Sequence, residues 1–313
     1  MPPPPPPPVF APPPPLEERK EPKADRLHLF ASYTLGFGKV DTVQQRFIPS
    51  LSTRPQNLLG QSQVSVSTFI VGGRFDVTPA FGVGARLPFS YGALGNITND
   101  AGRAILFGNI ELFATLQKKL SESLGIFGSL AVNLPSSLGT ELPRTQAELS
   151  AFPADTFNRA EANRFSLNQA AAAMFGYEQD QLFWSKRFGI TPAIEARWSQ
   201  DKLHFEPFVK LPNLIDTHSS SVEPYRLEVV FGAAGGYRAL PWLDLGLRAW
   251  GSAAIARRGA SPVGAGVLSP EVKFVFGERN PTTIFVAAVL PFVGSNVDPY
   301  YFGALRAGVS GSF

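Results

Sequence analysis

The chain reads as an all-β protein: a transmembrane, antiparallel, up-and-down β-barrel of about twelve strands behind a proline-rich tail. Three observations predict this fold. Apolar and polar or small residues alternate with period two from Leu27 to Phe313. No window holds the roughly 20 consecutive apolar residues that a membrane helix needs. Tight turns alternate with long loops along the whole alternating region.

Residues 1–26 stand apart from the rest. Pro2 to Pro8 and Pro12 to Pro15 predict polyproline II, followed by the mixed-charge run Glu17-Glu18-Arg19-Lys20-Glu21. Such a segment is extended and has no internal hydrogen bonds. Three roles stay open for it: a solvated leader, a docking strip for a periplasmic protein partner, or a plug for the near mouth of the barrel. The prolines that follow Met1 leave no apolar signal region, which predicts a mature chain behind an added initiator Met.

The barrel is expected over 27–313. In its first strand Leu27, Leu29, Ala31, Tyr33, Leu35 and Phe37 share one face. In the last, Tyr301, Gly303, Leu305, Ala307, Val309, Gly311 and Phe313 do the same. Between them strands are expected near 62–77, 81–90, 104–118, 124–134, 187–199, 203–211, 225–238, 242–255, 266–277 and 282–291. The alternation in 62–77 changes parity near Thr68, which predicts a bulge there.

Five short connections begin at Asp76, Leu120, Gln200, Leu240 and Gly277. They alternate with longer loops near 40–61, 91–103, 135–186, 212–224, 256–265 and 292–300. Sorting of loops by length is a feature of bacterial outer-membrane barrels. It sets both chain ends on the periplasmic side.

Composition agrees with a membrane wall. Hydrophobic residues make up 44% of the chain and charged residues 17%, against roughly 25% charged in soluble domains. There is no cysteine, which excludes disulfides, thiolate metal sites and thiol catalysis. A net charge of +3 gives no basis for nucleic-acid binding.

The final strand, Tyr301-Phe-Gly-Ala-Leu-Arg-Ala-Gly-Val-Ser-Gly-Ser-Phe313, resembles the assembly signal of Gram-negative outer-membrane proteins. The resemblance implies insertion by the barrel assembly machinery, with Phe313 as the signal residue. Gly311 stands where a larger hydrophobe is usual. The run Phe107-Gly108-Asn109-Ile110-Glu111-Leu112 is similar to a motif in the porin-like family grouped with fatty-acid and phenol-pathway transporters. That likeness implies uptake of a small, often hydrophobic, compound.

Parity sorts side chains between lipid and lumen. In 104–118, Leu106, Ile110, Leu112, Ala114 and Leu116 are expected toward lipid, with Asn109, Glu111, Thr115 and Gln117 inward. The same rule turns inward Arg86, Glu195, Arg197, His204, Glu206, Lys210, Arg226, Glu228, Asp244, Arg248, Glu271, Lys273 and Arg306. These charges form either an ion-pair lattice that stiffens a narrow lumen or a polar path that selects a permeant. Aromatic residues gather at strand ends, as in the girdles that anchor a barrel at both interfaces.

Loop 135–186 runs about fifty residues, beyond ordinary connection lengths. Asp155 or Thr156 is placed to cap a helix through Ala160, Ala162, Phe165, Leu167, Ala170 and Ala173. Either this loop is an external hairpin or it is a lid in the mouth lined by Phe165, Met174 and Phe175.

Catalysis finds little support. His28 and His204 point inward by parity, and His218 sits in a loop beside Ser219, Ser220 and Ser221, a pairing too mobile for a preorganised nucleophile. The histidines lack paired spacing, so neither a metal nor another cofactor is expected. The expected function is passive passage of a small charged or amphipathic solute across the outer membrane. The alternative is a non-conducting barrel that anchors an export or motility complex through its tail.

Overall fold

The computed structural model describes residues 26–43, 59–94, 102–137, 167–168, 170–184, 187–217, 225–257, 264–277, 281–294 and 302–313. The proline-rich tail and most of loop 135–186, including Asp155, Thr156 and Phe165, lie outside them.

The strands are β1 (Leu27–Val43), β2 (Leu59–Asp76), β3 (Phe81–Leu94), β4 (Gly102–Phe107), β5 (Glu111–Lys119), β6 (Leu124–Asn133) and β7 (Arg187–Gln200). They continue with β8 (Leu203–Lys210), β9 (Asn213–Asp216), β10 (Tyr225–Leu240), β11 (Leu243–Arg257), β12 (Gly264–Phe276), β13 (Thr282–Gly294) and β14 (Phe302–Ser312). Every pairing is antiparallel. β1 pairs with β14 from His28↔Ser312 to Gly38↔Phe302, so the sheet closes on itself. β4 and β5 both pair with β3, and β8 and β9 both lie between β7 and β10. Each couple is therefore one interrupted stave, and fourteen strands make a barrel of twelve. Closure leaves no sheet edge, which lets a polar backbone stand in hydrocarbon.

Turn chemistry explains the short side. Thr78 Oγ1 accepts from Phe81 N at 3.0 Å between β2 and β3, and Ser121 Oγ accepts from Leu124 N at 3.1 Å between β5 and β6. The outer face carries large exposed hydrophobes, among them Leu29, Val71, Leu112, Ile194, Leu247 and Leu305. Phe205, Tyr237, Trp242, Phe276 and Phe313 are exposed near the turns, and Tyr91 and Phe292 near the loops.

The structure corrects several expectations. No bulge interrupts β2 at Thr68: its register with β1 and with β3 is continuous. Val64, Val66, Thr68 and Ile70 are all buried on one inner face. The parity change is a change of lumen chemistry along a regular strand. Leu106 faces inward and is fully buried, whereas Ile105 and Phe107 are exposed. The break at 108–110 reverses parity between β4 and β5, so a rule carried through 104–118 as one strand fails above it. Ile110 sits at that break and is half-buried. The stave expected over 203–211 resumes after Pro212 as β9, so its loop begins later than expected.

Candidate functional site

The lumen has two halves. Toward the loops its wall is apolar, with Val64, Val66, Leu106, Val230, Trp250, Val267, Val289 and Phe302 buried. Toward the turns it is charged, and a further buried charged group, Arg187, Arg226 and Glu228, stands at the loop ends of β7 and β10. In an open barrel the apolar half would be wetted; here a segment of loop 135–186 fills it.

That segment is helical at 167–168 and 170–174. Ala170 to Ala173 favour helix because alanine loses no side-chain freedom there, and their small size fits a helix inside twelve strands. Leu167, Met174 and Phe175 are buried in the wall's apolar cluster, joined by Leu182 and Phe183. Burying each of these larger side chains contributes about 1.5–3 kcal/mol.

Gly176 stops the helix at φ 55°. Its N–H donates to Ala173 O at 2.9 Å and the Tyr177 N–H to Ala172 O at 3.1 Å, a paired C-terminal cap that favours glycine. A Cβ there would meet Val267 at 2.4 Å. Trp250 Nε1 donates to Gly176 O at 3.3 Å, tying the cap to β11.

The cap delivers Glu178 to the boundary between the two halves. Its Oε1 accepts from Lys210 Nζ of β8 and, at 2.8 Å, from Arg248 Nη2 of β11. Burial raises the Glu178 pKa, but Arg248 and Lys210 outweigh it and hold the carboxyl well below the usual carboxylate range. Arg306 of β14 lies beside this group, its guanidinium over the Phe175 and Phe285 rings at 5.9 and 5.2 Å.

The returning arm of the segment seals the broken stave. Gly108 N donates to Pro88 O at 3.0 Å, Asn109 N to Leu182 O at 2.7 Å, and Ile110 N to Ser136 Oγ at 2.8 Å. Asn109 Nδ2 donates to Gln181 O and Trp184 O, and its Oδ1 accepts from Ser137 N. Three amides taken from the ladder are thus satisfied. A Cβ on Gly108 would stand 2.4 Å from Leu182 O, so the approach needs glycine. Above it, the guanidiniums of Arg187 and Arg226 each lie 4.8 Å from the centre of the Trp184 ring.

The other lumen charges form mostly local pairs. Arg86 meets Glu111 across β3 and β5, and Glu111 also accepts from Asn133 and Gln181. Arg197 pairs with Glu195, Arg226 with Glu228 and Lys273 with Glu271, each two residues apart on one strand. His204 faces Asp244 at 3.5 Å, and Glu206 lies on the same face of β8.

One chain of bonds has the connectivity of a hydrolytic triad. His28 Nδ1 lies 2.8 Å from Ser312 Oγ, and Nε2 lies 2.8 Å from Asp76 Oδ2. Phe313 N, next to Ser312, is held in the ladder by Leu27 O at 2.8 Å. Arg74 shares the Asp76 carboxylate at 2.9 Å. The group fastens the β14–β1–β2 seam.

Sequence reasoning missed Glu178, Phe208 and Trp250. Gly176 behind an apolar run is a legible helix stop, but the partners of Glu178 stand 32 and 70 residues away. Among the described residues no group of acidic and histidine side chains could hold a metal ion.

Fold and site together define a closed transmembrane β-barrel whose loop-side half is filled by its own chain. No family model matches the sequence, and no curated protein does. Among solved structures the chain superposes on the COG4313 outer membrane channel from Pseudomonas putida F1, with a TM-score of 0.58 at 10% identity over 94% of this chain and 99% of that one. The Ralstonia pickettii toluene transporter TbuX and a Pseudomonas aeruginosa FadL homologue give TM-scores of 0.41 and 0.42 at 8% and 9% identity. Each of the two covers 92% of this chain and 90% of its own. At such identity the likeness to the channel establishes the fold: a barrel of the bacterial outer-membrane type.

Proposed function

We propose that the protein is a gated passage for a small amphipathic solute across the outer membrane of a Gram-negative bacterium. One observation carries the reading: an apolar belt of the lumen wall lies between charged groups on the loop side and on the turn side, and a peptide segment that is apolar at Leu167, Met174 and Phe175 and charged at Glu178 occupies it. An apolar wall inside a lumen is costly to wet. It is retained where something apolar fills it, either the chain's own helix or a passing solute. The short turns and both termini face the periplasm in this reading, and solute enters from the loop side.

The filled lumen also supports a second reading, a non-conducting anchor that docks an envelope complex through residues 1–26. Planar-bilayer current and liposome uptake separate the two. A passage conducts after deletion of 167–184 and does so with or without residues 1–26. An anchor stays closed in every form, and crosslinks from Val9 or Phe10 in intact cells then capture a periplasmic protein.

A further inference from the structure

Glu178 does not balance the cations around it. Lys210 and Arg248 converge on one of its oxygens, and Arg306 adds a third positive charge. Among the described residues no carboxylate lies within ion-pair distance of Arg306; the nearby Glu271 is held by Lys273 at 2.7 Å. Each cation instead rests on aromatic faces. Arg248 lies over Phe208 at 4.5 Å and Trp250 at 5.5 Å, Lys210 over Phe208 at 5.4 Å, and Arg306 over Phe175 and Phe285. Three cations on rings, facing one carboxylate, leave the site short of negative charge.

The occupant offers two groups. Phe175 and Glu178 flank the Gly176 cap, three residues apart. The Phe175 ring meets Arg306 and stacks on Phe183 at 5.6 Å and 12°. The Glu178 carboxylate meets Arg248 and Lys210. A small molecule that carries a ring and a carboxylate therefore offers the two groups that the segment presents.

We propose that Lys210, Arg248 and Arg306 form an organic-anion site that Glu178 occupies as the chain's own ligand, and that the exchanging ligand is a small arylalkyl carboxylate. This rests on the passage reading above and names the solute class for it. A tethered carboxylate competes at an effective concentration of the order of millimolar. Solute must displace it, and displacement removes the ion pairs that seat the helix. Binding and opening are then one event. A simple inorganic anion gains the charge contacts but not the ring faces.

The test uses the full-length protein, with 3-phenylpropionate, its neutral analogue 3-phenylpropanol, and acetate as probes. Binding is measured by equilibrium dialysis in detergent and passage by uptake into liposomes. The propionate is expected to bind about tenfold tighter than the alcohol, the worth of a charge-assisted contact. Glu178→Gln should strengthen its binding severalfold by removing the competitor. In that background Arg248→Gln and Arg306→Gln should each weaken binding about tenfold. If Arg248→Gln fails to fold, shown by lost heat-modifiability in SDS, Arg306→Gln decides, since its guanidinium holds no ion pair. Equal binding of acid and alcohol, or binding not strengthened by Glu178→Gln, overturns the site. Binding without uptake by any variant leaves the site standing and sinks the passage reading. Equal uptake of acid and alcohol without selective binding does the reverse.

Discussion

A Cβ built on Gly36 of β1 would lie 2.9 Å from the Cβ of Met174, so the wall is hollowed where the inserted helix touches it. Phe302 closes the same hollow from β14, 2.6 Å from that Cβ position. Gly36→Val should therefore unseat the helix while leaving the strand itself intact, because valine suits a strand. Overpacking of this kind costs on the order of 1–3 kcal/mol. Single-channel current should rise in frequency or size, and the barrel should stay heat-modifiable. A closed channel with unchanged protease resistance at 170–184 would show that the contact does not seat the helix.

The Glu178 tether should resist acid. Burial works against its charge, but Arg248 and Lys210 hold its pKa below the ordinary value. A carboxyl shifted this way stabilises the seated state above its unfolded pKa, and the contribution fades only as pH falls through the folded one. Bilayer current should therefore stay at its neutral level down to about pH 4, the ordinary carboxyl range. Glu178→Gln should raise it already at neutral pH. Opening of the unaltered protein between neutral pH and that range would contradict the assigned direction.

Asn109 should be the most sensitive residue of the broken stave. Its side chain donates to two carbonyls of the returning arm and accepts one amide. Asn109→Ala strands those buried groups, at about 1–3 kcal/mol for each left unsatisfied. Hydrogen exchange of the 181–184 amides should accelerate while exchange in β1 and β2 stays slow. Uniform protection across both regions would mean that water or another donor replaces the side chain.

Closure itself is open to a direct check. A barrel without edges should resist SDS until boiled and give a β-dominated circular dichroism spectrum. Deleting Phe313 should reduce insertion into the outer membrane, measured as the heat-modifiable fraction in isolated membranes. Equal fractions with and without it would remove the terminal-signal reading of this residue.

The sequence alone carried the wall. Period-two alternation, the short connections and the sorting of loops by length are local signals, and each is strong because hydrocarbon tolerates no unpaired backbone. Twelve staves follow from them. The tertiary structure alone decided the lumen. Val64, Val66 and Leu106 are apolar inner residues, and a rule of apolar-out, polar-in misplaced Leu106 and read a bulge into β2. The cause is the inserted helix, which turns half of the lumen into a protein core. The run Phe107–Leu112 was visible as a motif, but its role in breaking a stave depends on Leu182, Gln181 and Trp184, more than seventy residues along the chain. Glu178 lies furthest from what a sequence can show. Its chemistry is set by Lys210, Arg248 and Arg306, three staves brought together only when the barrel closes.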